Sequence, residues 1–208
     1  MKVLRLGTSN DDQTPVPEAQ RGWKIAEQML AEATGEPVET VLRRGWPNAK
    51  FGDRLEAWIE ELQPDFVVIQ VNNYWYGHES IPLWLHRKFG QVGDSVGSVG
   101  AKVGKWSWVA DNRWAQLVNR RAPDVLPYAT HFSVAEVASG MEAALRRVLA
   151  HEGVLLLVRG NEDWHIPTAS ARFNRRNRAR NAAMAAAMRE VCERLRVPYA
   201  QRPSNPEE

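Results

Sequence analysis

Val3-Leu4-Arg5-Leu6-Gly7-Thr8-Ser9-Asn10-Asp11 is the stretch on which the fold turns. A short apolar run ending in glycine and small hydroxyl residues reads as a buried first strand that delivers a serine to its carboxyl end. In open α/β sheets ligands bind outside that edge, and a serine there becomes a nucleophile when a base reaches it. The same residues suit a structural role as well, because Ser9 or Asn10 is a good cap for a following helix.

Beyond this segment the chain alternates helix and strand signals. Glu18 to Ala33 carries apolar residues at Trp23, Ala26, Leu30 and Ala33, a helical spacing that Gly35 and Pro37 stop. Val38 to Leu42 is a short β-branched run. Phe51, Leu55, Trp58, Ile59 and Leu62 form one face of a second helix that ends before Pro64. Phe66 to Val71 is continuously apolar, as in strands buried on both faces of a parallel sheet. Ser133 and Glu136 form a capping box ahead of Val137, Met141, Ala144, Leu145 and Val148, with Gly153 as the stop. Val154 to Val158 predicts a fourth strand, Phe173 to Arg196 a long helix, and Val197 to Ala200 a short fifth strand. This order predicts a doubly wound, parallel five-stranded sheet with helices on both faces.

Residues 74–132 break the rhythm and read as an insertion or lid within a single domain spanning 1–208. Trp75, Trp84, Trp106, Trp108 and Trp114 fall in it, and so do Gly93, Gly97, Gly100 and Gly104, each preceded by valine. Interior glycines weaken a helix by about 1 kcal/mol each relative to alanine, which favours a loop there. The tryptophans suit either the insertion's own small core or an apolar or sugar-binding wall.

Composition narrows the class. A length of 208 residues suits one domain, and a formal net charge of +2 exerts no strong pull on nucleic acid or membrane. Cys192 is the only cysteine, so a reducing, cytoplasmic compartment is expected. The amino-terminal run is too short for a signal-peptide core, and no window is long and apolar enough for a transmembrane span. No cofactor is expected, because the Gly-x-Gly-x-x-Gly fingerprint is missing around Gly7-Thr8-Ser9. The histidines are scattered without metal-ligand spacing, and a single cysteine argues against structural zinc. Arg172, Arg175, Arg176, Arg178 and Arg180 form one basic cluster, read as a solvated helix start or as a reader of anionic ligands.

Several polar residues fall at one edge of the predicted sheet. Ser9 follows strand one, Gly45 strand two, Asn72 and Asn73 strand three, and Glu162, Asp163 and His165 strand four. In a parallel sheet these loops open on the same side. Acyl transfer needs a nucleophile, a base, an orienting carboxylate and donors for the developing oxyanion. Ser9 supplies the first, while the Gly45 N–H and the Asn72 amide suit the last.

With these residues in place the chain resembles the SGNH (GDSL-type) esterase and lipase family. Gly7-Thr8-Ser9-Asn10 is similar to that family's first block, Arg43-Arg44-Gly45-Trp46 to its second and Gln70-Val71-Asn72-Asn73 to its third. The resemblance implies a flavodoxin-like α/β/α sandwich, Ser9 as nucleophile, and Gly45 and Asn72 as oxyanion donors. It also implies a small-molecule ester or acetylated substrate. Thr8 stands where the family has aspartate, Gln70 where it has glycine and Asn73 where it has aspartate. The family's Asp-x-x-His block occurs nowhere, and the chain stops about where that block would begin, in Gln201 to Glu208. Three expectations follow: truncation before the catalytic histidine, a base at His165 with Asp163 or Glu162 as orienter, or a degenerate member that binds a carbohydrate or acyl ligand without hydrolysis.

Overall fold

The computed structural model describes residues 1–7, 16–89, 124, 126–160 and 169–201. The strands are β1 (Lys2–Leu6), β2 (Glu39–Arg43), β3 (Phe66–Gln70), β4 (Leu155–Arg159) and β5 (Tyr199–Ala200). They form one parallel sheet in the order β2-β1-β3-β4-β5. The helices are α1 (Gly22–Thr34), α2 (Phe51–Leu62), α3 (Asn73–Gly77), α4 (Ile81–Phe89), α5 (Val134–Val148) and α6 (Ala171–Leu195). The expected doubly wound five-stranded sheet is therefore the observed one.

The chain groups into two compact units. Unit 1 is Met1–Asn72, Val134–Glu162 and Met184–Glu208, and unit 2 is Asn73–Ser133 and Asp163–Ala183. Unit 1 holds the whole sheet. Unit 2 holds α3, α4 and the first half of α6, with Ser80 and Ala129 joined as an isolated antiparallel bridge.

Strand alternation explains the core of unit 1. Leu4, Leu6, Val67, Ile69, Leu156 and Val158 are buried and share one sheet face. Right-handed crossovers put α2 and α5 over that face, since β2→β3 and β3→β4 run in the same direction across the sheet. The two helices pack on each other, and Phe51, Leu55 and Ile59 of α2 and Val137, Met141, Ala144, Leu145 and Val148 of α5 are all buried. The α5 stripe is the one its spacing predicts.

The opposite face is covered unevenly. The β1→β2 step runs the other way, so among the described residues α1 is the helix that handedness places there. Arg5 and Val3 of β1 are buried beneath that layer, but Phe66, Val68 and Leu157 are only half-buried and Leu155 is 65% exposed. Neighbouring leucines of β4 thus differ sharply in environment. Leu156→Ala is expected to cost about 2–4 kcal/mol in a urea melt, while Leu155→Ser stays within roughly 0.5 kcal/mol of the parent. Equal losses would mean that the outer face is covered in solution.

Helix α1 departs from its predicted face. Trp23 is buried, but Ala26 and Ala33 point to solvent, with Ile25 at 45% and Met29 at 63% exposure beside them. The inner face instead includes Lys24 and Glu27, which pair with each other, and Glu27 Oε2 accepts the Thr40 N–H of β2 at 2.9 Å. The helix ends at Gly35 in the left-handed region (φ 71°), where glycine avoids the strain other residues meet.

Candidate active site

The strand order is the first element of site geometry. β1 lies between β2 and β3, so successive crossovers leave it in opposite directions. Such a switch point opens a crevice at the carboxyl ends of the strands. The two described members of the expected site, Gly45 and Asn72, lie in the segments that follow β2 and β3, and flank the end of β1 in the sheet order. Ser9, Asp163, His165 and Glu162 lie outside the described residues.

Gly45 sits in a segment fastened on several sides. The Gly7 N–H donates to the Arg43 carbonyl at 3.1 Å, tying the ends of β1 and β2 together. A Cβ on Gly45 would meet the ring of Phe51, with Cδ2 only 2.8 Å away. Phe51 is fully buried as the first residue of α2 and has no room to yield. Glycine is therefore required here by close packing as well as by any role of its N–H. Asn48 ties the rest of the turn: its N–H donates to the Trp46 carbonyl at 2.7 Å, and its Oδ1 accepts the Lys50 N–H at 3.1 Å. Pro47 is buried against α5, where a Cβ on Gly140 would lie 2.8 Å from the Pro47 carbonyl oxygen.

Asn72 follows an extension of the β3 ladder. The Val71 N–H donates to the Arg159 carbonyl at 3.0 Å, which carries strand pairing one residue past β3 and leaves Asn72 half-buried at the edge. Gln70, the departure from the family's glycine, has a partner. Its Oε1 accepts from Arg5 Nη2 at 3.2 Å, and the two residues are diagonal neighbours on one sheet face. A buried guanidinium in a central strand needs such an acceptor, and glycine would not supply it.

Unit 2 accounts for a second departure, Asn73, while the third, Thr8, lies outside the described residues. Asn73 opens α3 and is buried. Its Nδ2 donates to Asn177 Oδ1 at 3.3 Å and to Asn181 Oδ1, and the Tyr76 hydroxyl donates to Asn181 Oδ1 at 3.2 Å. Aspartate has no N–H to give these two oxygens, so asparagine is the residue this cluster needs. Gly77 leaves space for it, since a Cβ there would meet Asn73 Cγ at 2.7 Å. Ser170, Asn174, Asn177 and Asn181 are all buried. Their spacing of four, three and four puts them on one side of the helix.

The basic cluster is largely committed within unit 2. Arg176 reaches Glu79 with Nε at 2.9 Å and Nη2 at 2.7 Å, and Arg180 Nη1 lies 2.8 Å from Glu79 Oε1. Tyr128 lies under both guanidiniums, at 5.1 and 5.3 Å, and Arg172 donates to the Asp124 carbonyl at 2.7 Å. The bond to Glu79 raises the Arg176 pKa above its ordinary value. These arginines hold a buried acid rather than forming a purely solvated helix start.

Two of the histidines that look scattered in sequence are neighbours in space. The rings of His78 and His131 are 6.0 Å apart and nearly parallel, with Tyr74 at 4.6 and 5.1 Å from them. Burial holds both imidazoles below the usual histidine range. Among the described residues no group of three or more His, Cys, Asp or Glu could hold a metal ion. Cys192 is buried and its thiol is pushed up to about 11, which leaves it protonated at neutral pH. No helix among the described residues is long and apolar enough to cross a membrane.

The described architecture is a flavodoxin-like α/β/α sandwich, the fold that the sequence resemblance implies. Among solved structures, TesA superposes with a TM-score of 0.51 at 15% identity, over 96% of this chain and 77% of that one. The psychrotrophic esterase EstA from Pseudoalteromonas sp. aligns at 10% identity, over 97% and 76% of the two chains, with a TM-score of 0.49. A catalytic mutant of Axe2, an acetylxylan esterase from Geobacillus stearothermophilus, aligns at 11% identity over 95% and 74%, with a TM-score of 0.48. No family model and no curated protein matches the sequence.

Proposed function

We propose that this chain hydrolyses a small ester or acetylated molecule through an acyl-enzyme at Ser9. The observation that supports this reading most is the strand order. The β1 segment leading to Ser9 lies between the two strands whose following segments carry Gly45 and Asn72. In the proposed reaction Ser9 Oγ attacks the ester carbonyl carbon and its proton passes to the base. The Gly45 N–H and the Asn72 amide donate to the oxyanion as it forms. Collapse of the tetrahedral intermediate expels the alcohol, which takes the proton back. Water then attacks the acyl group and regenerates the serine.

For the base, sequence offers His165, with Asp163 or Glu162 as its orienter, or a histidine outside these 208 residues.

The test is ester turnover by the unaltered chain and by Asn72→Ala. Loss of one oxyanion donor lowers kcat by about 10²- to 10³-fold and leaves KM nearly unchanged. No turnover of any short-chain ester by the folded parent would refute the proposal. A variant as fast as the parent would remove Asn72 from it.

A further inference from the structure

Within unit 2, residues 129–132 are seamed to α3 and the segment that follows it. Ser80 and Ala129 exchange main-chain hydrogen bonds at 2.9 and 3.0 Å, and the Phe132 N–H donates to the Trp75 carbonyl at 2.9 Å. His78 stands on one side of this seam and His131 on the other. Both are half-buried, with rings 6.0 Å apart and 13° from parallel. Tyr74, one helical turn before His78, contacts both rings, at 4.6 and 5.1 Å. Two titratable rings this close to each other cannot both take a charge without repulsion.

The charged neighbours add to that repulsion more than they relieve it. Arg87 of α4 donates to the His131 carbonyl at 2.6 Å, so one guanidinium already stands beside His131. Glu79 adjoins His78 and is the acid that attracts a proton there. Its carboxylate is completely buried and holds Arg176 and Arg180 of α6, so two cations already claim it. The Tyr74 face attracts a cation, which offsets part of the cost of a first proton but not the repulsion that meets a second.

We propose that His78 and His131 form an acid-sensitive latch: uncharged, their rings close the seam between residues 129–132 and α3, and in acid their two charges drive it open. Burial, and for His131 also His78 and Arg87, hold both imidazoles below the ordinary histidine range. The released segment therefore takes up protons that the closed seam refuses. The seam is at full strength above the ordinary histidine pKa of about 6.5 and weakens as pH falls below it. The latch needs no catalysis, so it stands or falls apart from the esterase reading.

The test is amide hydrogen exchange read by mass spectrometry at about pH 7.5 and about pH 5.5, corrected for the intrinsic effect of pH. In the parent, protection of the peptide carrying Ala129 and Phe132 is expected to fall about tenfold in acid, while that of β3 stays level. His78→Gln with His131→Gln should abolish the difference. That variant keeps His86, His151 and His165, so a response that survives in it belongs elsewhere and overturns the latch. No fall in the parent, or an equal fall in β3, also overturns it. If the double variant does not fold, His131→Gln alone decides. With a single imidazole left at the seam it should lose most of the pH response, and a response as large as the parent's removes the pair.

Discussion

Ser9→Ala is expected to lower ester turnover by roughly four to six orders of magnitude, because the members of an acyl-transfer site act as a unit. It is also expected to abolish the covalent adduct that a fluorophosphonate probe forms on the parent chain. The two readouts answer different questions. Turnover reports the whole cycle, whereas the adduct needs only an activated serine and room for the phosphorus centre. Intact mass distinguishes them: one adduct on the parent and none on Ser9→Ala identifies the nucleophile. That result would also require a base within these 208 residues and would make His165→Ala the next variant. A folded parent that forms no adduct sinks the acyl-enzyme and leaves the non-hydrolytic binding role. Turnover that survives in Ser9→Ala would move the chemistry to another group altogether.

Sequence patterning makes the frame of this protein legible wherever burial is apolar and one-sided. The five buried positions of α5 fall where their periodicity puts them, and the apolar runs of β3 and β4 do form strands, but there alternate residues are buried rather than both faces. Helix α1 is harder because its inner face is partly ionic. Glu27 is turned inward to accept an N–H from the edge strand β2, so a search for apolar periodicity selects Ala26 and Ala33, which point outward. The places of two proposed site residues are legible to the same extent. Gly45 and Asn72 can be placed because chain topology alone decides which strand ends adjoin β1. The function of Gln70 and Asn73 cannot, since each is defined by a partner far along the chain, Arg5 for one and Asn177 with Asn181 for the other. A signal for the second pair was nonetheless present: asparagines at 174, 177 and 181 repeat with helical spacing, and amides on one helix face are there to meet other polar groups.

The same lesson carries the largest stability effect expected outside the apolar core. Arg176→Met should destabilise unit 2 by about 3 kcal/mol, read as a fall in the urea midpoint. The side chain of Glu79 is completely buried, so water cannot replace a lost partner. Arg176 supplies two of its hydrogen bonds, and Arg180 remains on one oxygen only. The arginines differ from the acid in keeping 21% of their side-chain surface exposed, which lets a guanidinium recover some hydration when the carboxylate is removed. Two consequences follow from that asymmetry. Glu79→Leu should cost less than Arg176→Met, and the double variant Glu79→Leu with Arg176→Met should be more stable than Arg176→Met alone, because no buried charge is then left under-compensated. An Arg176→Met loss below about 0.5 kcal/mol is what a solvated surface pair gives, and it would mean that Glu79 reaches water in solution.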